Sequence, residues 1–399
     1  MGKWEKKELG EITNVVGGGT PKTAIPEYWN GDIIWLSPVD LPPIGVISKV
    51  NNSAKKITQL GLDKSSAKLL PKGTVVYSSR ASIGKIGITE NEICTNQGFT
   101  NFICEDKVYN YFLAYALKNF NKKIEELSNS TTFKEVSKSA IKKFKIPLPP
   151  LNTQKQIVSK LDALFARIDK SIGLLEGNIQ HTKDLMASVL DGEFGKLGEK
   201  FGKKALNDIC VKITDGSHHS PKAIEKGYPY VTVKDINNKG EIDLINCKKI
   251  SEMDYAELLK TGCQPQKGDV LLSKDGTVGK VAIVDFEKDW VVLSSLAIIR
   301  PNVDILKSEY LSLMLQTPIF QKTAIGLKTG AAIKRIVLRT IKTMEIPAPN
   351  LKEQEKAIVK IHDLRKPLNN LITQQSEKLK HLQSLKSSLL DMAFKGDLV

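Results

Sequence analysis

Hydrophobic positions along this chain alternate between two patterns, a mixed one and a strongly helical one, and each pattern appears twice. In the first stretch, residues 1–150, short runs rich in β-branched and aromatic residues read as strands: Ile33–Ser37, Thr74–Tyr77, Lys85–Ile88 and Asn101–Cys104. Gly17-Gly18-Gly19 and Gly84 punctuate them, and a helical stretch lies near Tyr109–Lys118. Pro147-Leu148-Pro149-Pro150 then closes this part, and no proline follows from about Thr153 to Asp191. There Ile157, Leu161, Leu164, Ile168, Ile172, Leu175, Ile179, Met186 and Val189 recur at steps of three and four, with a gap at Thr182. This is the stripe of a helix that winds around a partner helix. About 40 residues at 1.5 Å each make it roughly 60 Å long. Thr153 followed by Gln156 suits a capping box at its start.

The whole arrangement then recurs about 200 residues on. Ile146-Pro147-Leu148-Pro149-Pro150-Leu151 matches Ile346-Pro347-Ala348-Pro349-Asn350-Leu351, and Gln154, Val158 and Lys160 match Gln354, Ile358 and Lys360. His181, Leu185, Ser188, Leu190, Asp191 and Phe194 meet His381, Leu385, Ser388, Leu390, Asp391 and Phe394 at the same offset. Upstream, LPKGTVVYSSRASIGK (70–85) parallels PQKGDVLLSKDGTVGK (265–280), and KWEKKELGEI (3–12) parallels KFGKKALNDI (200–209). The second helical stripe is Ile358, Ile361, Leu368, Ile372, Leu379, Leu382 and Leu389, with Asn350 and Glu353 offering a cap. Pro367 should kink or break that helix near its start. The expected fold is therefore α+β: globular domains at 1–150 and 196–349, and long helices at 151–195 and 350–399 that pair antiparallel. In that arrangement the helices pair through Leu161, Leu164, Ile168, Ile172, Leu175 and Ile179 against Ile361, Leu368, Ile372, Leu379, Leu382 and Leu389.

Charge narrows the partner. The chain carries 59 Lys and Arg against 44 Asp and Glu, a formal net charge of +15. Such a surplus suits nucleic acid, although a lysine-rich soluble protein is the other reading. The 5 cysteines form no C-x-x-C pair and read as reduced thiols of a cytoplasmic protein. No apolar run approaches the roughly 20 residues of a membrane span, so no membrane partner is expected, and the start lacks the apolar core of a secretion signal. Two copies of one domain on antiparallel helices would be related by an approximate two-fold axis, which DNA shares. Diverged copies would then read two different half-sites on double-stranded DNA.

The motifs VVGGGTPKT (15–23), SSRASIGK (78–85), TNQGF (95–99), KIPLPPLNTQKQI (145–157), ITDGSHHSP (213–221) and IPAPNLKEQEKAI (346–358) resemble those of the specificity subunits of type I restriction–modification enzymes. The resemblance covers essentially the whole chain. It implies two target-recognition domains, each reading one half of an asymmetric bipartite DNA site. It also implies helices that act as a ruler and dock two modification subunits, with restriction and motor subunits completing the enzyme. This chain would bind no cofactor and catalyse nothing. S-adenosylmethionine, ATP and Mg2+ would belong to the partner subunits. The alternative is a non-catalytic helical scaffold that tethers partners without reading DNA.

Residues able to meet DNA lie on polar loops. In the first domain they are Gly19, Thr20 and Lys22 of the GGGTPKT loop, Ser37, the Ser78, Ser79, Arg80, Ser82, Lys85 loop, and Asn96 with Gln97. Arg80 is the only arginine of this domain; it suits a bidentate contact with guanine, a phosphate clamp or a plain surface ion pair. Asn96 and Gln97 suit adenine edges or simply a turn. In the second domain the candidates are Asp215, Ser217, His218, His219 and Lys222, then Lys234, and Lys274, Thr277 and Lys280 in the loop matching Arg80's. His218-His219 lacks partners at metal-ligand spacing, so no metal is expected. There is no G-x-x-x-x-G-K-[ST] loop, no Asn/Asp-Pro-Pro-Tyr segment and no nuclease-like carboxylate cluster, which argues against an enzyme.

Overall fold

The run Val75–Ser78 is buried on both faces because it is the middle strand of a five-stranded sheet. The computed structural model that shows this describes residues 4–128, 134–237, 239–326 and 336–399. Lys3 of the repeated opening lies outside the described residues. The chain divides into two units: one runs to Leu175 and includes Glu377–Val399, and the other is Glu176–Ser376. Each contains one globular domain and a segment of each long helix.

In the first unit the sheet order is Thr13–Gly17, Phe99–Cys104, Val75–Ser78, Ile86–Thr89, Ile47–Val50, antiparallel except for the last pair. A smaller sheet joins Lys55–Ile57, Trp29–Leu36 and Cys94–Thr95. The helix Asn110–Glu125 covers one face of the larger sheet with Phe112, Leu113 and Leu117. All the strands and the helix expected from the hydrophobic pattern are present. In the second unit the larger sheet is Cys210–Asp215, Leu296–Pro301, Val270–Ser273, Val281–Ile283, and the smaller one is Lys248–Ile250, Tyr228–Val231, Val291–Val292. Thr317-Pro318 splits its covering helix into Ser308–Leu315 and Pro318–Gly326, since proline cannot continue the hydrogen-bond ladder.

The long helices span Leu151–Phe201 and Leu351–Lys395. Two local expectations are revised. The first helix begins directly after Pro150, so Thr153 sits inside its first turn and not at a cap. A buried amide anchors this helix start instead. Gln154 donates to the carbonyls of Lys107 and Pro149 at 2.9 Å each and accepts from Tyr109 N–H at 2.8 Å. Gln354 repeats this with Ile305, Pro349 and Lys307, and both glutamines are fully buried. Asn350 does cap the second helix, accepting from Glu353 N–H at 3.0 Å. The second revision concerns Pro367, which lies inside an unbroken helix. Its missing N–H and its clash one turn back cost about 3 kcal/mol. The half-buried seam residues after it, Leu368 and Ile372, with buried Ile361 before it, favour continuity.

Each domain's core is completed by both helices. In the first unit Leu161, Phe165 and Ile168 of one helix and Leu390, Phe394 and Leu398 from the end of the chain join the cluster around Phe112. In the second, Ile358 and Ile361 join Leu190 and Phe194 around Tyr310. The helices run antiparallel in the first unit, where Lys160 Nζ donates to the Leu398 carbonyl at 2.7 Å and Lys386 meets Asp169 at 2.6 Å. Lys360 meets Glu193 at 2.6 Å in the second unit, which holds the Glu193 carboxyl below its usual range. The seam residues are buried or half-buried: Leu161, Ile168 and Ile361 are buried, and Leu164, Ile172, Leu175, Ile179, Leu368, Ile372, Leu379, Leu382 and Leu389 half-buried. Thr182, the gap in the stripe, also faces inward, its hydroxyl satisfied by the Asn178 carbonyl at 2.8 Å.

Candidate nucleic-acid interface

Strand register brings the candidate loops of the first domain together. Gly17 pairs with Thr100, Ser78 with Phe99, and Tyr77 with Ile86, so loops 18–22, 79–85 and 95–98 leave the same end of the sheet. Leu36 pairs with Thr95, which adds Ser37 to that end. In the second domain Asp215 pairs with Ala297, Ser273 with Leu296 and Leu272 with Val281, gathering loops 216–222, 274–280 and 293–295 in the same way.

A shared set of polar contacts builds both edges. Ser37 donates through its N–H and hydroxyl to Asp40 Oδ2 at 2.8 and 2.7 Å; Thr232 does the same to Asp235 at 2.7 and 2.8 Å. Lys85 Nζ donates to the Pro38 and Leu41 carbonyls at 2.7 and 3.1 Å, and Lys280 Nζ to those of Val233 and Ile236. The Ser78 hydroxyl bonds the Ser82 carbonyl and accepts from Lys85 N–H; Ser273 bonds Thr277 and Lys280 identically. Gly18 and Gly216 are required by close approach, since a Cβ would lie 1.9 Å from the Asn96 carbonyl oxygen and 2.3 Å from that of Val292. Ser37, Ser78, Lys85 and Lys280 thus have their polar groups engaged within the protein. Buried Ser79 gives its N–H to the Gly98 carbonyl, and half-buried Asn96 accepts from Gly98 N–H at 2.9 Å.

The side chains that differ between the edges are mostly exposed. In the first domain these are Lys22, Arg80, Ser82 and Gln97, with Thr20 donating to Gln97 and Gly19 buried beneath them. In the second they are His218, His219, Lys222, Lys234 and Thr277. Lys274 is the exception. It is 1% exposed and lies 3.4 Å from Asp215 and 3.2 Å from Asp275. His218 Nε2 lies 3.5 Å from Asp215, and buried Ser217 bonds His219 backbone atoms. Among the described residues no group of three or more His, Cys, Asp or Glu is placed to hold a metal.

Two residues beside these loops escaped the sequence reading. Glu135 lies 3.4 Å from Arg80 Nε, and Asp275 occupies Arg80's place in the second domain. Glu135 is far from Arg80 in sequence, and no local pattern announces the pair.

A duplicated α+β domain, with one end of each sheet built on the same contacts but presenting different polar side chains, defines a tandem recognition protein. The model of the type I restriction modification DNA specificity domain matches residues 1–176 and again 198–381, and the chain belongs to that family. It is 27% identical to the type I restriction enzyme MjaIX specificity subunit of Methanocaldococcus jannaschii over 99% of this chain and 93% of the relative. It is 26% identical to the EcoBI specificity subunit of Escherichia coli, covering 82% and 76%. A solved chain from a study of type I R-M complex assembly shares the fold at a TM-score of 0.73 and 21% identity, covering 99% and 98%. The HsdS subunit of Thermoanaerobacter tengcongensis gives 0.54 and 21%, covering 99% and 97%.

Proposed function

We propose that this chain is the non-catalytic specificity subunit of a type I restriction–modification complex, and that each domain reads one half of an asymmetric bipartite site in double-stranded DNA. The observation that carries this is the pair of edges: a common polar scaffold with divergent exposed residues is what two readers of different sequences need. Exposed lysines such as Lys22, Lys222 and Lys234 would meet phosphates, a sequence-blind contribution, while Arg80, Gln97, His218 and Thr277 would face base edges. The long helices would set the separation of the half-sites and dock two modification subunits. S-adenosylmethionine would sit in those subunits and supply the methyl group for adenine; ATP and Mg2+ would serve restriction and motor subunits. No helix among the described residues is long and apolar enough to cross a membrane, and a cytoplasmic complex fits this role.

A methylation map tests the reading. The chain is co-expressed with its modification subunit in a methylation-free host, and modified adenines are located genome-wide. A split, asymmetric motif methylated on both strands, and absent without this chain, is the expected result. No motif from an assembled, active complex would overturn DNA reading and leave a scaffold that tethers partners.

A further inference from the structure

Arg80 stands on an unusually constrained turn. Ser79 N–H is held by the Gly98 carbonyl at 2.8 Å, and the Arg80 carbonyl accepts from Ser82 N–H at 2.8 Å. Segment 134–136 pairs with the turn from the other side: Ala81 N–H donates to the Lys134 carbonyl at 3.0 Å and Val136 N–H to that of Ser79 at 2.9 Å. Ala81 holds a positive φ of 59°, a conformation that L side chains rarely adopt outside such a framework. The pairing segment is itself tied down by Lys134, whose ammonium lies 2.7 Å from Glu125. This backbone bridge places Glu135 opposite Arg80, with Oε2 3.4 Å from Nε and both side chains about half exposed.

A guanidinium has two usable edges. A carboxylate on the Nε side limits rotation of the group and leaves the Nη1/Nη2 pair, the fork that matches guanine O6 and N7, for the outer direction. An exposed ion pair contributes little to stability, so what this pair supplies on a braced turn is aim more than strength. In the second domain Asp275 and buried Lys274 occupy the corresponding turn.

We propose that Glu135 is a positioning residue for sequence reading: it aims Arg80 at a guanine in the half-site of the first domain. This rests on the DNA-reading function proposed above. The test uses full-length chain in the assembled modification complex, with methylation mapped for wild type, Glu135→Gln, Glu135→Ala, Arg80→Ala and the double variant Arg80→Ala/Glu135→Ala. The expected result is a loss of preference for one guanine in one half-site, of about tenfold, in all four variants. The other half-site should keep its full preference, and the double variant should be no worse than Arg80→Ala. Relaxation by Arg80→Ala with unchanged preference in both Glu135 variants would overturn the positioning role. Equal losses at both half-sites would overturn it too, because they report a damaged fold. An unaltered motif in Arg80→Ala removes the residue being aimed. A wild-type complex without any motif overturns the DNA-reading function itself and is thus distinct from these results.

Discussion

The rings of Phe394 and Phe112 sit 5.1 Å apart, so a residue near the end of the chain completes a core that begins near its start. Phe194 and Tyr310 make the matching contact at 5.1 Å in the second unit. Each domain is therefore closed by the far end of the helix that does not directly follow it.

Truncating either aromatic should be costly. Phe394→Ala and Phe194→Ala each remove a buried ring and leave a cavity, with an expected loss of about 3–5 kcal/mol. Urea denaturation followed by hydrogen exchange in both units checks the size and place of each loss.

The glutamine anchors predict a different signature. Gln154→Ala strands the Tyr109 N–H and the Lys107 and Pro149 carbonyls in a buried site, at about 1–3 kcal/mol for each group left without a partner. Gln154→Glu should also destabilise, because it replaces the donating NH2 with a carboxylate facing two carbonyl oxygens. Amide exchange at Tyr109 should accelerate in Gln154→Ala, which removes its acceptor, more than in Gln154→Glu, which keeps one; unchanged exchange in Gln154→Ala would argue against the anchor.

Lysines at the two edges should separate into two kinds. Lys22→Ala removes an exposed charge and should weaken DNA binding at all sequences, lowering the salt slope by about 1 with thermal stability unchanged. Lys85→Ala strands the Pro38 and Leu41 carbonyls and should lower thermal stability. Binding titrations at several salt concentrations, beside calorimetric melting, distinguish the two.

Pro367→Ala should stabilise the second helix by about 1–3 kcal/mol, since alanine restores an N–H to the ladder and removes the ring clash. Calorimetry of the two proteins measures the gain. A loss would mean that the proline shapes the helix for another contact.

Alkaline pH should destabilise the protein through its thiols. Burial pushes the thiols of Cys104 and Cys210 up to about 12 and that of Cys94 to about 11. With folded-state values above the unfolded one, the folded chain retains these protons when the unfolded chain has released them. Stability from this source is full below the unfolded value near pH 9 and declines as pH rises through 11 to 12. Urea midpoints at pH 8, 9.5 and 10.5 should fall in that order, and the fall should shrink in a Cys104→Ala/Cys210→Ala variant.

Much of the architecture was legible along the chain because it follows from local repetition. The steps of three and four from Ile157 to Val189 follow from 3.6 residues per turn, and the matches at a fixed offset showed two copies of one unit. The strands at Ile33–Ser37 and Thr74–Tyr77 were legible for the same reason: a buried strand needs β-branched and aromatic residues wherever it lies. The match of Phe194 with Phe394 was visible too, though not its cause.

Tertiary structure alone decided which polar groups face inward. Lys85 and Lys22 are the same residue type on neighbouring loops, yet Lys85 reaches carbonyls 47 and 44 positions away in sequence while Lys22 faces solvent. Lys274 stands among the sequence's candidate DNA contacts, but the fold encloses it between Asp215 and Asp275. Glu135 became visible only when a strand-like segment crossed the turn that carries Arg80. The physical reason is common to all three. Periodicity is imposed by the backbone over a few residues, whereas the partner of an ammonium or guanidinium group is whatever oxygen the rest of the chain places within about 3 Å of it.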